Sequence, residues 1–306
     1  MDVSADIETI YKACKGFGTD ERALVSVFGY RDGPTIDAIR QQYQSLRHRN
    51  LISTLESDLS GSFEVAIVAT ALGPLESEVY FAYKAIVGLG TNEKMLTEAI
   101  MGKTNHQMHA MKHVYNAKHC ETLERALAGD LSMKTLKFFL MALEENKMDE
   151  QAPVNPQAVA NDVRVFNEAT RGRGGKDELA VCSIFTRSSD VHLRAVVQEY
   201  RRMYNADMPA VIKKDFSGHM QEALLYIIEG AIDKATRDAK LLEETMKGLL
   251  TDSNLLTSRL IRMHWDKGHL MSVKRAYQSL YQKDLTTRVK KATSGDFGKM
   301  MVALTS

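Results

Sequence analysis

Two short glycine-containing segments carry the residues of this chain best suited to binding an ion. They read Gly-Phe-Gly-Thr-Asp-Glu at 16–21 and Gly-Leu-Gly-Thr-Asn-Glu at 88–93. Because glycine tolerates left-handed backbone angles, such a turn can direct several carbonyl oxygens toward one point. A hard cation such as calcium prefers about six to eight oxygen ligands, so one carboxylate from elsewhere in the chain would complete an all-oxygen site around these carbonyls.

A carboxylate stands at the same distance from both segments. Asp58 follows Gly16 by 42 residues, and Asp130 follows Gly88 by the same number. A single instance would favour a simpler interpretation, in which a glycine ends one helix and a threonine begins the next. Two instances, each with its acid, favour calcium binding.

The two segments belong to a fourfold internal repeat. They are 72 residues apart, and the same register aligns four tyrosines, which are Tyr43, Tyr115, Tyr200 and Tyr277. The longer step between the second and third repeats contains a polar, proline-bearing stretch, which we expect to be a linker between two pairs of repeats. The predicted boundaries are 2–72, 74–144, a linker at 145–156, 157–231 and 233–306.

Helices are expected to position these residues, because apolar side chains recur at helical spacing along the whole chain. The fold class is therefore predicted to be all-α. Within the first repeat the pattern predicts five helices, near 4–15, 20–29, 34–46, 50–58 and 62–71. Thr19 and Thr91 are predicted to be the N-caps of the helices that follow the glycine turns.

Composition excludes several classes of function. The 306 residues include 40 Lys plus Arg against 39 Asp plus Glu, so no net field favours nucleic acid. The longest apolar stretch is far shorter than the roughly 20 residues that cross a bilayer, and the N-terminus does not resemble a secretory signal. Three widely spaced cysteines are expected to be reduced, so we expect a cytoplasmic protein. No catalytic motif occurs, and no enzyme activity is predicted.

The glycine turns, the acid 42 residues later, the Ser-Gly that follows it and the repeat length together resemble the annexins. The resemblance covers essentially the whole chain. It implies four repeats of five helices arranged as a curved disc. It also implies calcium-dependent binding to anionic phospholipid membranes, with lipid phosphate bridged by calcium in the turns, and recruitment from the cytoplasm to the cytosolic face of membranes when calcium rises.

The resemblance implies two intact sites, each built from three backbone carbonyls and one carboxylate. The residues are Cys14, Gly16, Gly18 and Asp58 in the first repeat, and Ile86, Gly88, Gly90 and Asp130 in the second.

The third repeat departs from this pattern. Arg171 and Arg173 fall at carbonyl positions, Gly175 is kept, Lys176 replaces the threonine, and Asp215 is the aligned acid. Calcium binding there stays open, because backbone oxygens remain while the cations would repel the ion. Direct contact with lipid phosphate is the alternative for these cations, and for Lys15 in the first repeat. They are Lys15, Arg171, Arg173 and Lys176.

The fourth repeat is expected to lack a calcium site, because Leu250 replaces the second glycine and Ala292 replaces the acid. His106, His109 and His113 share one face of a predicted helix and could form a metal site or supply a base. Their aligned positions in the first repeat are on the polar side of the helix, so solvated histidines are expected.

Two other functions remain open. An all-helical scaffold could bind a protein partner, such as cytoskeleton, without calcium, and the glycine turns would then be only helix caps. Calcium dependence separates that function from membrane binding. Ion conduction through the polar space between repeats is a third hypothesis that comes only from the resemblance.

Overall fold

The computed structural model describes residues 2–16, 18–88, 90–171, 177–248 and 250–306. In these ranges all regular secondary structure is helical, which confirms the predicted all-α class. The helices of the first repeat are α1 (Ser4–Ala13), α2 (Glu21–Phe28), α3 (Gly33–Arg47), α4 (Leu51–Asp58) and α5 (Gly61–Ala71). The five predicted segments therefore agree with the structure to within two residues at either end.

The remaining helices repeat this order. The second repeat contains α6 (Gly73–Ile86), α7 (Glu93–Ile100), α8 (Asn105–His119), α9 (Leu123–Ala128) and α10 (Met133–Ala142). The third begins with α11 (Pro156–Arg171), α12 (Glu178–Arg187), α13 (Asp190–Tyr204) and α14 (Met208–Asp215). The long α15 (Gly218–Met246) is followed by α16 (Ser253–His264), α17 (Lys267–Tyr281), α18 (Leu285–Ala292) and α19 (Gly295–Leu304).

Helix α15 serves two repeats, because its backbone is interrupted at Asp233, where φ is −156° and ψ is 93°. The part before this residue is the last helix of the third repeat, and the part after it is the first helix of the fourth. Each of the four repeats therefore has five helices. The aligned tyrosines, at most 1% exposed, belong to the third helix of each repeat and anchor it in the core.

The helices after the glycine turns are capped one residue later than predicted. Asp20 Oδ1 accepts a hydrogen bond from Ala23 N at 3.0 Å, and Asn92 Oδ1 accepts one from Met95 N at 3.1 Å. Asp and Asn are as good N-caps as threonine, so the sequence alone did not separate the two positions. The prediction that Thr19 is an N-cap is wrong, and so is the same prediction for Thr91.

The chain forms two compact units, residues 1–80 with 238–306, and residues 81–237. The first unit combines the first and fourth repeats, where α5 packs against α16 and α19. The physical reason is that α5 is buried on nearly all sides over residues 66–71, so it needs cover from another repeat. The second unit combines the second and third repeats, where α10 packs against α12.

The proline-bearing stretch lies inside the second unit, so the expectation that it separates two pairs of repeats is wrong. Its backbone is tied down on both sides. Lys147 N donates to Asn105 Oδ1 at 2.9 Å, and Met148 N donates to Arg187 O at 2.7 Å. These bonds hold the stretch against the start of α8 and the end of α12.

An acidic residue in the first helix of each repeat forms an ion pair with another helix. Asp162 on α11 is the most buried, with a side chain 2% exposed, and it pairs with Arg187 and, at 2.8 Å, with His192 Nε2. The equivalent Asp6 pairs with Arg31 at 2.8 Å but is 15% exposed. The same contact is therefore more deeply desolvated in the third repeat than in the first.

Replacing Asp162 with Ala is expected to lower the free energy of unfolding by about 3 kcal/mol, because it leaves a buried histidine and a half-buried arginine without their acceptor. Asp6→Ala is the matched control and is expected to cost about 1 kcal/mol or less, since water reaches that pair. Urea denaturation followed by circular dichroism measures both. Equal losses for the two variants would contradict the prediction.

Candidate metal sites

The loop between the first and second helices of every repeat is closed by one equivalent backbone hydrogen bond. The bonds run from Asp20 N to Ala13 O (3.0 Å), from Asn92 N to Ala85 O (2.8 Å), from Asp177 N to Ala169 O (3.1 Å) and from Asp252 N to Thr245 O (3.1 Å). The last carbonyls of a helix have no partner inside it, so this bond satisfies one of them and fixes where the loop returns.

Glycine supplies the backbone angles that the first two loops require. Gly16 and Gly18 have φ values of 117° and 85°, and Gly90 has a φ of 87°. No atom lies within 4 Å of the position that a Cβ would occupy at any of these three residues. The requirement is therefore for left-handed backbone conformation and not for space, as the glycine pattern predicted.

The structure brings Asp58 next to the first loop. Asp58 is exposed and is the last residue of α4. Its backbone oxygen accepts a hydrogen bond from Thr19 Oγ1 at 3.1 Å, and the Cys14 thiol hydrogen-bonds its side chain. Both ends of the loop are thus fastened to the residue that the sequence spacing selected.

The second loop is fastened to Asp130 in a related way. Thr91 Oγ1 donates to Asp130 Oδ2 at 2.6 Å. Asp130 lies two residues beyond the end of α9 and is exposed, as are Gly88 and Gly90, whereas Ile86, the last residue of α6, is half-buried. The residues expected to form the second site therefore meet at one exposed place.

Sequence reasoning missed the structural role of the loop threonines. In the fourth repeat Thr251 Oγ1 donates to the backbone oxygen of Ala292 at 2.8 Å, which matches the contact of Thr19 with Asp58. The threonine therefore joins the loop to the end of the fourth helix in three repeats. The signal in the sequence was that Thr recurs before the Asp or Asn that caps the next helix.

The third loop is longer by one residue, because its closing bond spans eight residues where the other three span seven. Counted from Ala169, the equivalent of Cys14 is Thr170; Arg171 takes that place only when the register is counted back from Asp177. Arg171 is the exposed last residue of α11. Arg173, Gly175 and Lys176 lie outside the described residues, and Asp215 is the last residue of α14.

The fourth loop keeps the framework without the acid. Ala292 is the last residue of α18, the position that Asp58 occupies in α4. Leu250 stands at the position of the second glycine and is 89% exposed, the highest value among the large hydrophobic residues described. The exposed Lys15 of the first loop lies 5.6 Å from the ring centroid of Tyr11.

Side chains alone do not make a metal cage in the part of the chain that the structure describes. There, no three His, Cys, Asp or Glu side chains converge on one point. Cation binding in the loops would therefore depend on backbone carbonyls with one carboxylate each. Among the same residues, no helix is both long and apolar enough to span a membrane.

The contact with Asp58 has a chemical consequence for Cys14. Burial, and then the charge and hydrogen bonding of Asp58, raise the pKa of the Cys14 thiol to about 12. Burial also raises the pKa of Cys182 to about 12, whereas Cys120 is exposed. Because the thiolate is the reactive form, Cys14 and Cys182 should be poor nucleophiles near neutral pH.

Iodoacetamide at pH 8 is therefore expected to alkylate Cys120 first, with peptide mass spectrometry following each site. Asp58→Asn should accelerate labelling of Cys14, because it removes the negative charge that holds the thiol protonated. Cys182 provides the internal control, since Asp58 is not among the groups that shift its pKa. Labelling of Cys14 as fast as Cys120 in the unmodified protein would contradict this account.

Comparison with known proteins gives the family of this chain. The family model described as Annexin matches four segments, 5–70, 78–142, 161–227 and 237–304. Annexin C1 of Cryptococcus neoformans is 36% identical over 99% of this chain, which spans 65% of that protein. Annexin A13 of Canis lupus familiaris is 34% identical over 99% of this chain and 95% of its own length.

The folds agree as well. The structure of annexin III superposes with a TM-score of 0.92 at 27% identity, covering 100% of this chain and 94% of the other. Annexins are in general non-enzymatic proteins that bind calcium and acidic phospholipid membranes. With four matched repeats and full-length relatives above 30% identity, this chain belongs to the annexin family.

Proposed function

We propose that this chain binds calcium in the loops of its first and second repeats and uses the bound ions to dock on anionic phospholipid membranes. The observation that carries the proposal is the pairing, in both repeats, of an exposed glycine loop with an exposed carboxylate 42 residues later. Family membership supports it, because annexins are known for calcium-dependent phospholipid binding.

The donor set fits calcium. The proposed ligands of the first site are the carbonyls of Cys14, Gly16 and Gly18 and the carboxylate of Asp58; those of the second are the carbonyls of Ile86, Gly88 and Gly90 and the carboxylate of Asp130. Carbonyl and carboxylate oxygens are the ligands that calcium prefers, and their number leaves the coordination sphere incomplete. Lipid phosphate oxygens can fill the remaining places, so calcium affinity and membrane affinity should reinforce each other.

The contacts seen at the two acids suggest how the loops are held ready. Asp58 accepts a hydrogen bond from the Cys14 thiol, and Asp130 accepts one from the Thr91 hydroxyl. Each acid thus already lies against its loop, and an ion replaces a hydrogen-bond donor at the carboxylate without a large movement of α4 or α9. Little ordering free energy then has to be supplied by binding.

Each compact unit contains one complete loop site and one altered loop. The first unit has the Asp58 site with the acid-free fourth loop, and the second has the Asp130 site with the basic third loop. Either unit alone should therefore be able to hold calcium. Both sites are needed for the full membrane affinity, because two linked contacts reinforce each other.

Exposed cations near the loops are proposed to touch lipid phosphate directly. Lys15 and Arg171 are exposed in the structure, and Arg173 and Lys176 of the third loop are proposed to act in the same way. In the third repeat Asp215 follows the exposed Lys213 and Lys214, so positive charge surrounds the acid there as well. We therefore propose phosphate contact as the main role of the third repeat, with calcium binding at Arg171, Arg173, Gly175 and Asp215 as the alternative.

Replacing Asp58 and Asp130 together with Ala is expected to abolish calcium-dependent sedimentation with phosphatidylserine vesicles, because both sites lose their only carboxylate. Each single variant should need more calcium for half-maximal sedimentation than the unmodified protein. Asp37→Ala removes an exposed acid of α3 that is half-exposed and outside the loops, and it should behave as the unmodified protein.

The same sedimentation assay distinguishes the alternatives. A double variant that still sediments normally with calcium would overturn the two-site proposal. Sedimentation that persists in a chelator would assign membrane binding to the cations. No sedimentation under any condition would favour the alternative function, a helical scaffold for a protein or cytoskeletal partner without calcium.

The fourth loop offers a test by gain of function. Leu250→Gly combined with Ala292→Asp is expected to add one bound calcium ion per chain, because the closing bond from Asp252 and the Thr251 contact are already in place. Equilibrium dialysis with vesicles present measures the stoichiometry. Ala292→Asp alone, which lacks the second glycine, is the matched control. An unchanged stoichiometry in a folded double variant would show that these residue types do not define the site.

A further inference from the structure

A pair of histidines on α8 remains outside the membrane-binding proposal. His109 and His113 are four residues apart and both are exposed. Side chains with this spacing are neighbours on a helix surface, with Cβ atoms about 5–6 Å apart. Helical histidine pairs at the same spacing bind zinc in metalloproteases. The sequence pattern predicted solvated histidines here, and their exposure agrees with that prediction without excluding an ion.

The backbone that carries the pair is well fixed. Helix α8 begins with a reciprocal cap, in which Gln107 N donates to Thr104 Oγ1 at 3.2 Å and Thr104 N donates to Gln107 Oε1 at 3.0 Å. Its opposite face is buried through Met108, Met111 and Tyr115. The two imidazoles therefore project from a rigid helix, which favours a defined distance between them.

A carboxylate orients one of the two rings. Glu145 Oε2 lies 3.1 Å from His109 Nδ1. When a carboxylate accepts from Nδ1, the proton is placed on that nitrogen and Nε2 keeps its lone pair for a metal, which is the usual arrangement behind zinc-binding histidines. Glu145 itself has a φ of 57°, an uncommon backbone conformation for a non-glycine residue.

The nearby lysine does not oppose a cation, because its charge is already engaged. Lys112 Nζ lies 2.9 Å from Glu124 Oε1 and 3.2 Å from Glu145 Oε1, and it donates to Leu143 O at 3.1 Å. With two carboxylates and one ammonium, this group of charges is net negative beside the histidine pair. The local field therefore favours a divalent cation.

We propose that His109 and His113 bind a zinc ion on the surface of the second repeat, with Glu145 positioning the His109 ring and water completing the coordination. Imidazole nitrogens suit zinc and related transition metals, whereas the loop sites offer only oxygen, which suits calcium. His106 is seven residues from His113, roughly 10 Å along the helix axis, so these two cannot share one ion. The site is independent of calcium and of the membrane function.

Isothermal titration calorimetry with zinc chloride tests the site. The titration is made in excess calcium, so that the oxygen sites are occupied, and in a Cys120→Ser background, so that the exposed thiol cannot bind zinc. One zinc ion per chain is expected. His109→Ala and His113→Ala should each weaken binding by about tenfold or more, since loss of an outer-shell partner alone costs about that much.

Two further variants separate the proposed pair from non-specific binding by surface histidines. His106→Ala is the matched control from the same exposed face and should retain the affinity of the background protein. Glu145→Gln should weaken zinc binding about tenfold while preserving one ion per chain, which a purely structural role for Glu145 would not do. Thermal unfolding confirms that each variant is folded.

The result that would overturn the proposal is equally definite. Zinc affinity unchanged by His113→Ala, or reduced by His106→Ala as much as by His113→Ala, would exclude the pair as the site. Calcium-dependent sedimentation with vesicles should be the same for all these variants, so failure of the zinc site is distinguishable from failure of the membrane proposal.

Discussion

The closing of each interhelical loop onto the end of the fourth helix is the constraint on which the remaining features depend. A backbone bond spanning seven residues sets the loop length in three repeats, and a threonine hydroxyl fastens the loop to the fourth helix. Since a loop without such ties would leave helix-terminal carbonyls unpaired, these contacts stabilise the fold before any ion is present. They also bring a carboxylate beside the glycines. One set of hydrogen bonds therefore serves both the fold and the proposed sites.

The same framework explains why the repeats can differ in chemistry without differing in fold. Thr251 makes with Ala292 the contact that Thr19 makes with Asp58, because a backbone oxygen accepts the bond in both cases. The acid can therefore be lost from the fourth repeat at little structural cost. The third repeat absorbs an extra residue in its loop and still forms the closing bond. Fold and ion binding are separable properties of each repeat.

Two kinds of ion chemistry follow from where ligands sit on the helices. At the helix ends, backbone carbonyls are free and glycine can turn them outward, which yields oxygen sites suited to calcium. On the exposed face of α8, side chains four residues apart are neighbours, which yields a nitrogen pair suited to zinc. The positioning residues of the two kinds, Asp58 and Asp130 on one side and Glu145 on the other, do not overlap.

The sequence by itself determined the all-helical class, the fourfold repeat, the five helices of the first repeat and the identity of the acids beside the glycine loops. These features are periodic or depend on a fixed spacing, so they can be recognised without knowing which parts of the chain meet. The caps were less certain, because Thr and Asp are both good N-caps and adjacent residues compete.

Only the tertiary structure decided which repeats share a core, because the burial of α5 on nearly all sides is satisfied by helices more than 180 residues away. It also decided that Thr19 fastens the loop, that the third loop is one residue longer, and that Glu145 meets His109 across 36 residues. Such contacts join segments distant in sequence. No local pattern records them, since they depend on how the helices pack and not on the residues of any one helix.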